Sequence, residues 1–307
     1  MILNASGRTD IIAFYSDWFF QRMKEGYLDV RNPFYPKQVS RIFFSSVDAI
    51  VFCTKNPIPL LSHLDEIKVP FVLQVTLTGY GKDIEPFVPD KKKIILALQE
   101  VSKKIGRENV FVRYDPIFLN KKYTVSYHIR SFRKLVASLA PFVSCFIISF
   151  LDDYKNVNYH QKELQTIPFK EEDYKQIGIA FSMIAKEHQV KVQTCAEKRN
   201  LTEYGFSKGS CVDLSLAYRL TGKSKWKKWS ARKNKFCECV QMVDVGVYNT
   251  CGHFCRYCYA NYDEKKVSEN RKKHFLDSSL LIGRLEQDDI VKERKSCLLY
   301  TSDAADD

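Results

Sequence analysis

The chain has 307 residues, of which 45% are hydrophobic, and a formal net charge of +12. This composition is sufficient for one large hydrophobic core or two smaller ones. No apolar run approaches the roughly 20 residues that a membrane-spanning helix needs, and the first residues lack the basic and apolar regions of a secretory signal. The sequence therefore predicts a soluble, cytoplasmic protein with no membrane partner.

Short apolar or β-branched runs alternate with segments of helical period along the chain. The predicted strands are 2–4, 49–53, 70–77, 109–114, 145–150, 190–194 and 242–248, and the clearest predicted helices are 91–106, 126–143 and 171–188. This alternation is typical of βαβ units and a parallel sheet. Seven strands with mostly single helices between them favour an α/β fold with a full or partial (β/α) TIM-like barrel. No G-x-G-x-x-G follows a strand, which argues against a dinucleotide-binding sheet.

The predicted organisation has four segments. Residues 1–200 hold barrel strands 1–6, residues 201–240 form a basic insertion with cysteines, and residues 241–296 contain the last strand, a cysteine-rich loop and a C-terminal segment. Residues 297–307 (CLLYTSDAADD) carry three acids and no base and show no helical or strand period. We interpret them as a non-native tail and leave them, with Cys297, out of the fold prediction.

Polar side chains directly follow several of the predicted strands. In a parallel α/β barrel the carboxyl ends of the strands lie on one face, where active sites form. We therefore expect a functional site lined by this rim. The charged candidates are Arg8, Asp10, Lys55, Arg113, Asp115 and Glu197.

Three cysteines lie close together late in the chain, in the spacing Cys251-x3-Cys255-x2-Cys258. Three thiolates in so short a loop can bind three irons of a [4Fe–4S] cube and leave the fourth iron open to a small molecule. Zinc is the alternative. Structural zinc needs four ligands, so Cys255 and Cys258 would be completed by Cys237 and Cys239, or by His253. The spacing favours iron–sulfur.

The remaining cysteines fall into two groups. Cys53 and Cys145 lie inside apolar strand-like runs, and we expect both to be small buried hydrophobic residues. Cys195, Cys211, Cys237 and Cys239 have polar neighbours and predict a second metal site, either an auxiliary [4Fe–4S] cluster or a structural zinc. The C-x-C pair is unusual for zinc ribbons and favours the cluster.

The first cysteine motif resembles a known signature. Cys251-x3-Cys255-x-Tyr257-Cys258 matches that of radical S-adenosylmethionine enzymes, including the aromatic residue before the last cysteine. The surrounding YNTCGHFCRYCYANY, together with CTKNPIPLLSHLDEI, VTLTG and VRYDPIF, is similar to spore photoproduct lyase and its relatives. Overall, residues 1–296 resemble a bacterial family called domain of unknown function 1848, whose cysteine cluster lies at the C-terminal end.

This resemblance implies a circularly permuted radical S-adenosylmethionine core. In ordinary enzymes of this class the three cysteines follow the first strand, whereas here they follow the last one. In a ring of strands the last strand lies beside the first. We therefore expect residues 242–248 to lie beside residues 2–4, so that the chain order differs while the geometry of the site is kept.

The resemblance also implies an activity. Cys251, Cys255 and Cys258 would bind the cluster, and S-adenosylmethionine would chelate its open iron. One electron, from a donor such as flavodoxin or ferredoxin, would then produce a 5′-deoxyadenosyl radical that abstracts hydrogen from an unidentified substrate. Tyr257 would pack near the adenine, and Thr76 and Thr78 would correspond to a hydroxyl-bearing strand end at the cofactor. The resemblance extends to the second set of four cysteines.

A basic segment leaves other functions open. KSKWKKWSARKNK (223–235) carries seven Lys or Arg and two Trp, and such residues can neutralise phosphates and stack on bases. A solvated lysine-rich loop is the interpretation we favour, because residues 91–93 and 265–273 are basic too. A nucleic-acid substrate stays open, as do two other functions: a zinc-containing nucleic-acid-binding protein and a non-catalytic iron–sulfur redox protein.

Overall fold

The computed structural model describes residues 1–152, 155–227 and 237–295. Its strands are β1 (Ile2–Ala5), β2 (Tyr27–Arg31), β3 (Gln38–Phe43), β4 (Ala49–Thr54), β5 (Phe71–Thr76), β6 (Val110–Ile117), β7 (Cys145–Phe150), β8 (Lys191–Cys195), β9 (Ser207–Gly209), β10 (Val243–Asp244) and β11 (Ile290–Glu293). Its helices are α1 (Ile11–Glu25), α2 (Lys91–Ile105), α3 (Val125–Leu139), α4 (Lys155–Tyr159), α5 (Gln161–Leu164), α6 (Glu171–Glu187), α7 (Leu214–Thr221) and α8 (Glu264–Lys272). Within these ranges, none of the helices has both the length and the apolar character that a bilayer crossing requires.

Eight strands form one parallel sheet in the order β10-β1-β4-β5-β6-β7-β8-β9. All seven predicted strands contribute to it, which confirms the prediction of an α/β fold with a parallel sheet. The consecutive order from β4 to β9 is the one expected of a partial barrel. In the described part of the chain, β10 and β9 are the outer strands of this sheet.

The two faces of the parallel sheet are covered differently. One face carries Leu3, Ile50 and Leu73, and it packs against the apolar residues of α1, α2, α3 and α6. The opposite face carries Ile2, Val51 and Val72 and is partly covered by α7, Trp226 and residues 239–242. Successive side chains of a strand point to opposite faces of the sheet. The four long helices pack against the face that carries Leu3. The other side is left to hold a cavity.

The pairing of β10 with β1 places a late segment of the chain beside the first strand. Leu3 lies opposite Val243 and Asn4 lies opposite Asp244, in parallel register. This confirms the expectation that the last predicted strand lies beside the first. The strand is shorter than the predicted 242–248, because the Asp244 carboxylate accepts hydrogen bonds from the backbone N–H groups of Gly7 and Gly246, both at 2.7 Å. Such side-chain bonds compete with the strand ladder.

Several elements, among them β9, α7 and α8, were not predicted, and two further features show the physical reason. Helix α1 is one; its IIAFYSDWFF start is so uniformly apolar that it shows little helical period. The second is a smaller sheet in the order β11-β3-β2, in which β2 and β3 are antiparallel and β11 is parallel to β3. Every residue of β11 is exposed, so this strand lacks the alternation of apolar and polar residues by which strands are recognised.

A buried histidine on α3 makes the stability of the fold depend on pH. His128 Nε2 lies 2.9 Å from the carbonyl oxygen of Phe118, and Nδ1 lies 2.9 Å from the hydroxyl of Tyr114. A carbonyl only accepts, so Nε2 carries the proton of the neutral ring. Burial lowers the pKa of His128 from 6.5 to about 4.

Below pH 6.5 the unfolded chain therefore takes up a proton that folded His128 accepts only near pH 4. We expect this group to lower the free energy of unfolding by about 2–3 kcal/mol as the pH falls from 7 to 4.5. Urea unfolding of the wild type and of His128→Gln at both pH values measures the effect. The variant should lose less stability on acidification, and an equal loss in both proteins would contradict the assignment.

Candidate functional site

A cavity of about 840 Å³ lies at the carboxyl ends of the parallel strands. Its wall includes all six charged residues that the sequence predicted for the rim, together with Thr76 and Tyr257. Six cysteines line it as well, namely Cys53, Cys195, Cys211, Cys251, Cys255 and Cys258. The structure thus brings residues that are up to 250 positions apart in the chain into one enclosure.

The cysteine-rich loop after β10 is closed by Asn249. This residue has a φ of +54°, a conformation that asparagine tolerates better than most residues. Its backbone N–H donates to the carbonyl of Ala260 at 2.9 Å, and its side-chain oxygen accepts from the N–H of Tyr262 at 2.8 Å. Asn270 of α8 donates to the Asn249 carbonyl at 3.0 Å. The two ends of the loop are thereby held together, and the three cysteines lie between them.

The three thiols of this loop face the same cavity. Cys251 and Cys255 are buried and Cys258 is half-buried. Backbone N–H groups point at two of the sulfurs: that of Ala260 lies 3.3 Å from Cys258 Sγ, and that of His253 interacts with Cys251. Burial raises the pKa of all three thiols. A bound cation would offset this cost of ionisation, because metal ligation deprotonates thiols.

Asp10 connects this loop to two strand ends. Its Oδ1 accepts from the N–H of Ala13 at 3.0 Å and so caps α1. Its Oδ2 accepts from the Lys55 N–H at 2.8 Å and lies 3.0 Å from His253 Nε2. A predicted rim residue, Asp10, therefore positions the cysteine loop relative to the ends of β1 and β4.

Glu85 forms a buried polar network beside the cysteines that the sequence analysis missed. Its side chain is 2% exposed and lies 2.9 Å from Lys55 Nζ and 3.1 Å from Lys91 Nζ. It also accepts hydrogen bonds from the hydroxyl of Thr78, at 2.8 Å, and from that of Tyr257. Glu85 follows no predicted strand directly, and it lies in the irregular segment between β5 and α2, so no periodic signal marked it.

Electrostatics keep this network charged. Burial alone would raise the pKa of Glu85, but Lys55 and Lys91 outweigh it and hold the pKa at about 2. Burial would lower the pKa of Lys55, but Glu85 and then Cys255 reverse the effect and raise it. For Lys91 burial prevails, and its pKa is lowered. The side of the cavity next to Cys255 therefore carries a lysine cation, fixed by a buried carboxylate.

The opposite wall carries Arg113 and two carboxyl groups. Arg113 Nε lies 3.0 Å from Asp115 Oδ2, and the Ser149 hydroxyl donates to the other oxygen of Asp115. Glu197 accepts from the N–H of Phe150 at 2.7 Å. Burial, opposed by that N–H and reinforced by Asp152 and Asp115, raises the pKa of Glu197 to about 8. A carboxyl group that is protonated near neutrality can donate a proton or a hydrogen bond to a ligand in the cavity.

The structure also brings the second set of cysteines together. Cys195 Sγ and Cys211 Sγ are 2.8 Å apart, and Cys239 interacts with both Cys211 and Cys237. The neighbouring thiols Cys211 and Cys237, together with burial, raise the pKa of Cys239. The predicted proximity of these four residues is therefore observed.

Neither cysteine set has the spacing of ligands around a single ion. Four sulfurs bound at ~2.3 Å to one tetrahedral zinc lie about 3.8 Å apart. In the described part of the chain, only Glu286, Asp288 and Asp289 form a group of three ligand atoms within 4.8 Å of one another. Glu286 and Asp288 are exposed carboxylates paired with Lys37. In the described chain the three thiols of the first set do not all lie within 4.8 Å of one another, and in the second set Cys195 Sγ and Cys211 Sγ, at 2.8 Å, are closer than two ligands of one zinc ion.

Some predicted residues behave differently from the expectation. Cys145 is buried in the core as predicted, whereas Cys53 is half-buried and faces the cavity, because its position in β4 points away from the helices. Trp226 of the basic segment is 4% exposed, and its indole N–H donates to the Lys223 carbonyl. Its ring is therefore not available to stack on a base. Residues 228–236, with Trp229, and the predicted tail 297–307 lie outside the described residues.

Comparison with known families gives one match. Residues 2–260 match the model of a family described as a domain of unknown function, DUF1848. The chain belongs to the DUF1848 family. The match includes every strand of the parallel sheet and the whole Cys251–Cys258 motif, while α8 and β11 lie beyond it. No curated protein matches the chain.

The Glu85 network gives a testable consequence for stability. Glu85→Gln keeps the shape of the side chain but leaves Lys55 and Lys91 without a buried counter-charge, which we expect to lower the free energy of unfolding by about 3–5 kcal/mol. Glu187→Gln removes an exposed partner of Arg133 and should cost at most about 1 kcal/mol. Urea unfolding at pH 7 compares the two, and equal stabilities would contradict the network.

Proposed function

We propose that this DUF1848 protein is a radical S-adenosylmethionine enzyme with a permuted partial barrel. The observation that carries the proposal is the position of Cys251, Cys255 and Cys258, whose thiols open together into the 840 Å³ cavity at the carboxyl ends of the parallel strands. Ligand cavities of about 300–1,000 Å³ are typical of small-molecule sites. The cysteine motif and the cavity are thus combined in one place.

The residues of the loop fit a [4Fe–4S] cluster. The three thiols are spaced more widely than ligands of one ion in the described chain, and backbone N–H groups are directed at the sulfurs of Cys251 and Cys258. Such hydrogen bonds to sulfur tune clusters of this type. Cys251, Cys255 and Cys258 would hold the cluster, which together with S-adenosylmethionine and an electron from a partner such as flavodoxin or ferredoxin would supply 5′-deoxyadenosyl radical chemistry.

The protein's own side chains would bind and orient the reactants. The Lys55 ammonium, fixed by Glu85, provides a cation for a carboxylate on the side of Cys255, and Asp10 and Asp115 provide anions for an amine. Tyr257 lies between Glu85 and the cavity, with Lys55 Nζ 5.4 Å from its ring centre, so we place it near the adenine. Thr78 holds Glu85, and Thr76 lines the cavity next to Arg113. Glu197, protonated near neutrality, is positioned to donate a proton to bound substrate.

The test is anaerobic reconstitution with iron and sulfide, followed by reduction in the presence of S-adenosylmethionine. We expect a brown protein that forms 5′-deoxyadenosine, and we expect Cys255→Ala to abolish this product. Cys145→Ala is the matched control, because Cys145 is a buried thiol of β7 outside the cavity. It should retain both iron and product formation.

Other results would select the alternatives. Formation of 5′-deoxyadenosine by Cys255→Ala at the wild-type level would exclude the proposed cluster ligands. A cluster that forms without 5′-deoxyadenosine would support an iron–sulfur redox protein, and a colourless zinc-loaded protein would support a zinc-containing binding protein.

A further inference from the structure

A second group of thiols lies at the carboxyl end of β8, and two of its four members line the cavity. Cys195 is the last residue of β8, Cys211 precedes α7, and Cys237 and Cys239 precede β10. Contacts run from Cys195 to Cys211, from Cys211 to Cys239, and from Cys239 to Cys237. Cys195 and Cys211 line the same cavity as the first cysteine set.

Specific hydrogen bonds bring the segments of this group together. The fully buried Gln74 of β5 donates from Nε2 to the carbonyl of Cys211 at 2.8 Å, and Gln193 of β8 donates to the adjacent Ser210 carbonyl at 3.2 Å. The N–H of Val240 donates to the Val212 carbonyl at 3.0 Å, which places Cys239 beside Cys211. Amide side chains of the sheet thus fix the backbone of the segment that carries Cys211.

An arginine provides charge compensation for this group. Arg113 Nη1 lies 2.8 Å from Cys211 Sγ and 3.3 Å from Gln74 Oε1. Four thiolates carry more negative charge than the bound metal centre can neutralise. A guanidinium at hydrogen-bond distance from one sulfur offsets part of the excess.

We propose that Cys195, Cys211, Cys237 and Cys239 bind a second iron–sulfur cluster, which faces the same cavity as Cys251, Cys255 and Cys258. All four cluster positions would be filled by protein thiolates, unlike those of the first set. Four cysteine thiolates are a usual ligand set of such a cluster, and the Cys237-x-Cys239 spacing is unusual for zinc ribbons, which place two residues between ligands. A substrate in the cavity would lie between the two metal centres, with Arg113 on the side of the second one.

Variants of the first set test this without depending on catalysis. Reconstituted wild type should contain about eight irons and eight sulfides per chain, since each cluster holds four of each. A Cys251→Ala, Cys255→Ala, Cys258→Ala triple variant should retain about four of each, with an electron paramagnetic resonance signal after dithionite reduction. A circular dichroism spectrum that matches that of the wild type would show that the variant is folded.

The complementary variant removes the second set. Cys211→Ala with Cys239→Ala should also lower the iron content by about four, whereas the Cys145→Ala control should keep about eight. The proposal is overturned if the first-set variant binds no iron, or if it binds zinc in place of iron. Because this readout is metal content, it is separate from the 5′-deoxyadenosine assay that tests the proposed function.

The role of Arg113 gives an independent prediction. Arg113→Met removes the cation beside Cys211, so the second cluster should become harder to reduce and its midpoint potential should shift to a more negative value. Arg113→Lys, which keeps the charge, should shift it less. Potentiometric titration in the first-set triple variant isolates this cluster. An unchanged potential in Arg113→Met would contradict the contact between Arg113 and a cluster ligand.

Discussion

Parallel pairing of β10 with β1 joins the late part of the chain to the first strand, and the candidate site depends on this contact. The pairing is only two residues long, so ladder hydrogen bonds alone hold it weakly. The Asp244 carboxylate strengthens it by accepting from the N–H of Gly7 and from the guanidinium of Arg8, and bonds to a charged acceptor are stronger than neutral ones. The same carboxylate ends the strand and directs the chain into the cysteine loop.

Buried charge is the second constraint on the site. Glu85, Lys55 and Arg113 are taken out of water at a substantial desolvation cost, and replacing such groups by apolar ones often stabilises a protein. A concentration of such groups around one cavity is typical of functional sites. Glu85 has two roles, because it keeps Lys55 charged and also fixes Tyr257 of the cysteine loop. The long helices, by contrast, stabilise the sheet from the opposite face.

Seven strands of the parallel sheet and helices α2, α3 and α6 were predictable because each shows its burial in its own residues. The run in β7 is apolar throughout, and α2 has apolar residues on one face, so local pattern was sufficient. The rim residues were predictable for a related reason, since they follow those strands directly. Glu85 was not, because it lies in an irregular segment and is recognisable only by the two lysines and the tyrosine that surround it. Cys53 shows the same limit: its apolar neighbours suggested the core, whereas the pleat of β4 turns it toward the cavity.

The sequence by itself determined the alternation of strands and helices, the family, and the cysteine spacing that suggests a cluster, because these properties depend on neighbours within a few residues. Only the tertiary structure decided that members of both cysteine sets line one cavity, that Asp10 and Glu85 link the cysteine loop to the strand ends, and that Trp226 is buried. These are contacts between segments far apart in the chain. Packing and hydrogen bonding across the sheet determine which residues meet, and a pattern of neighbouring residues does not reveal such contacts.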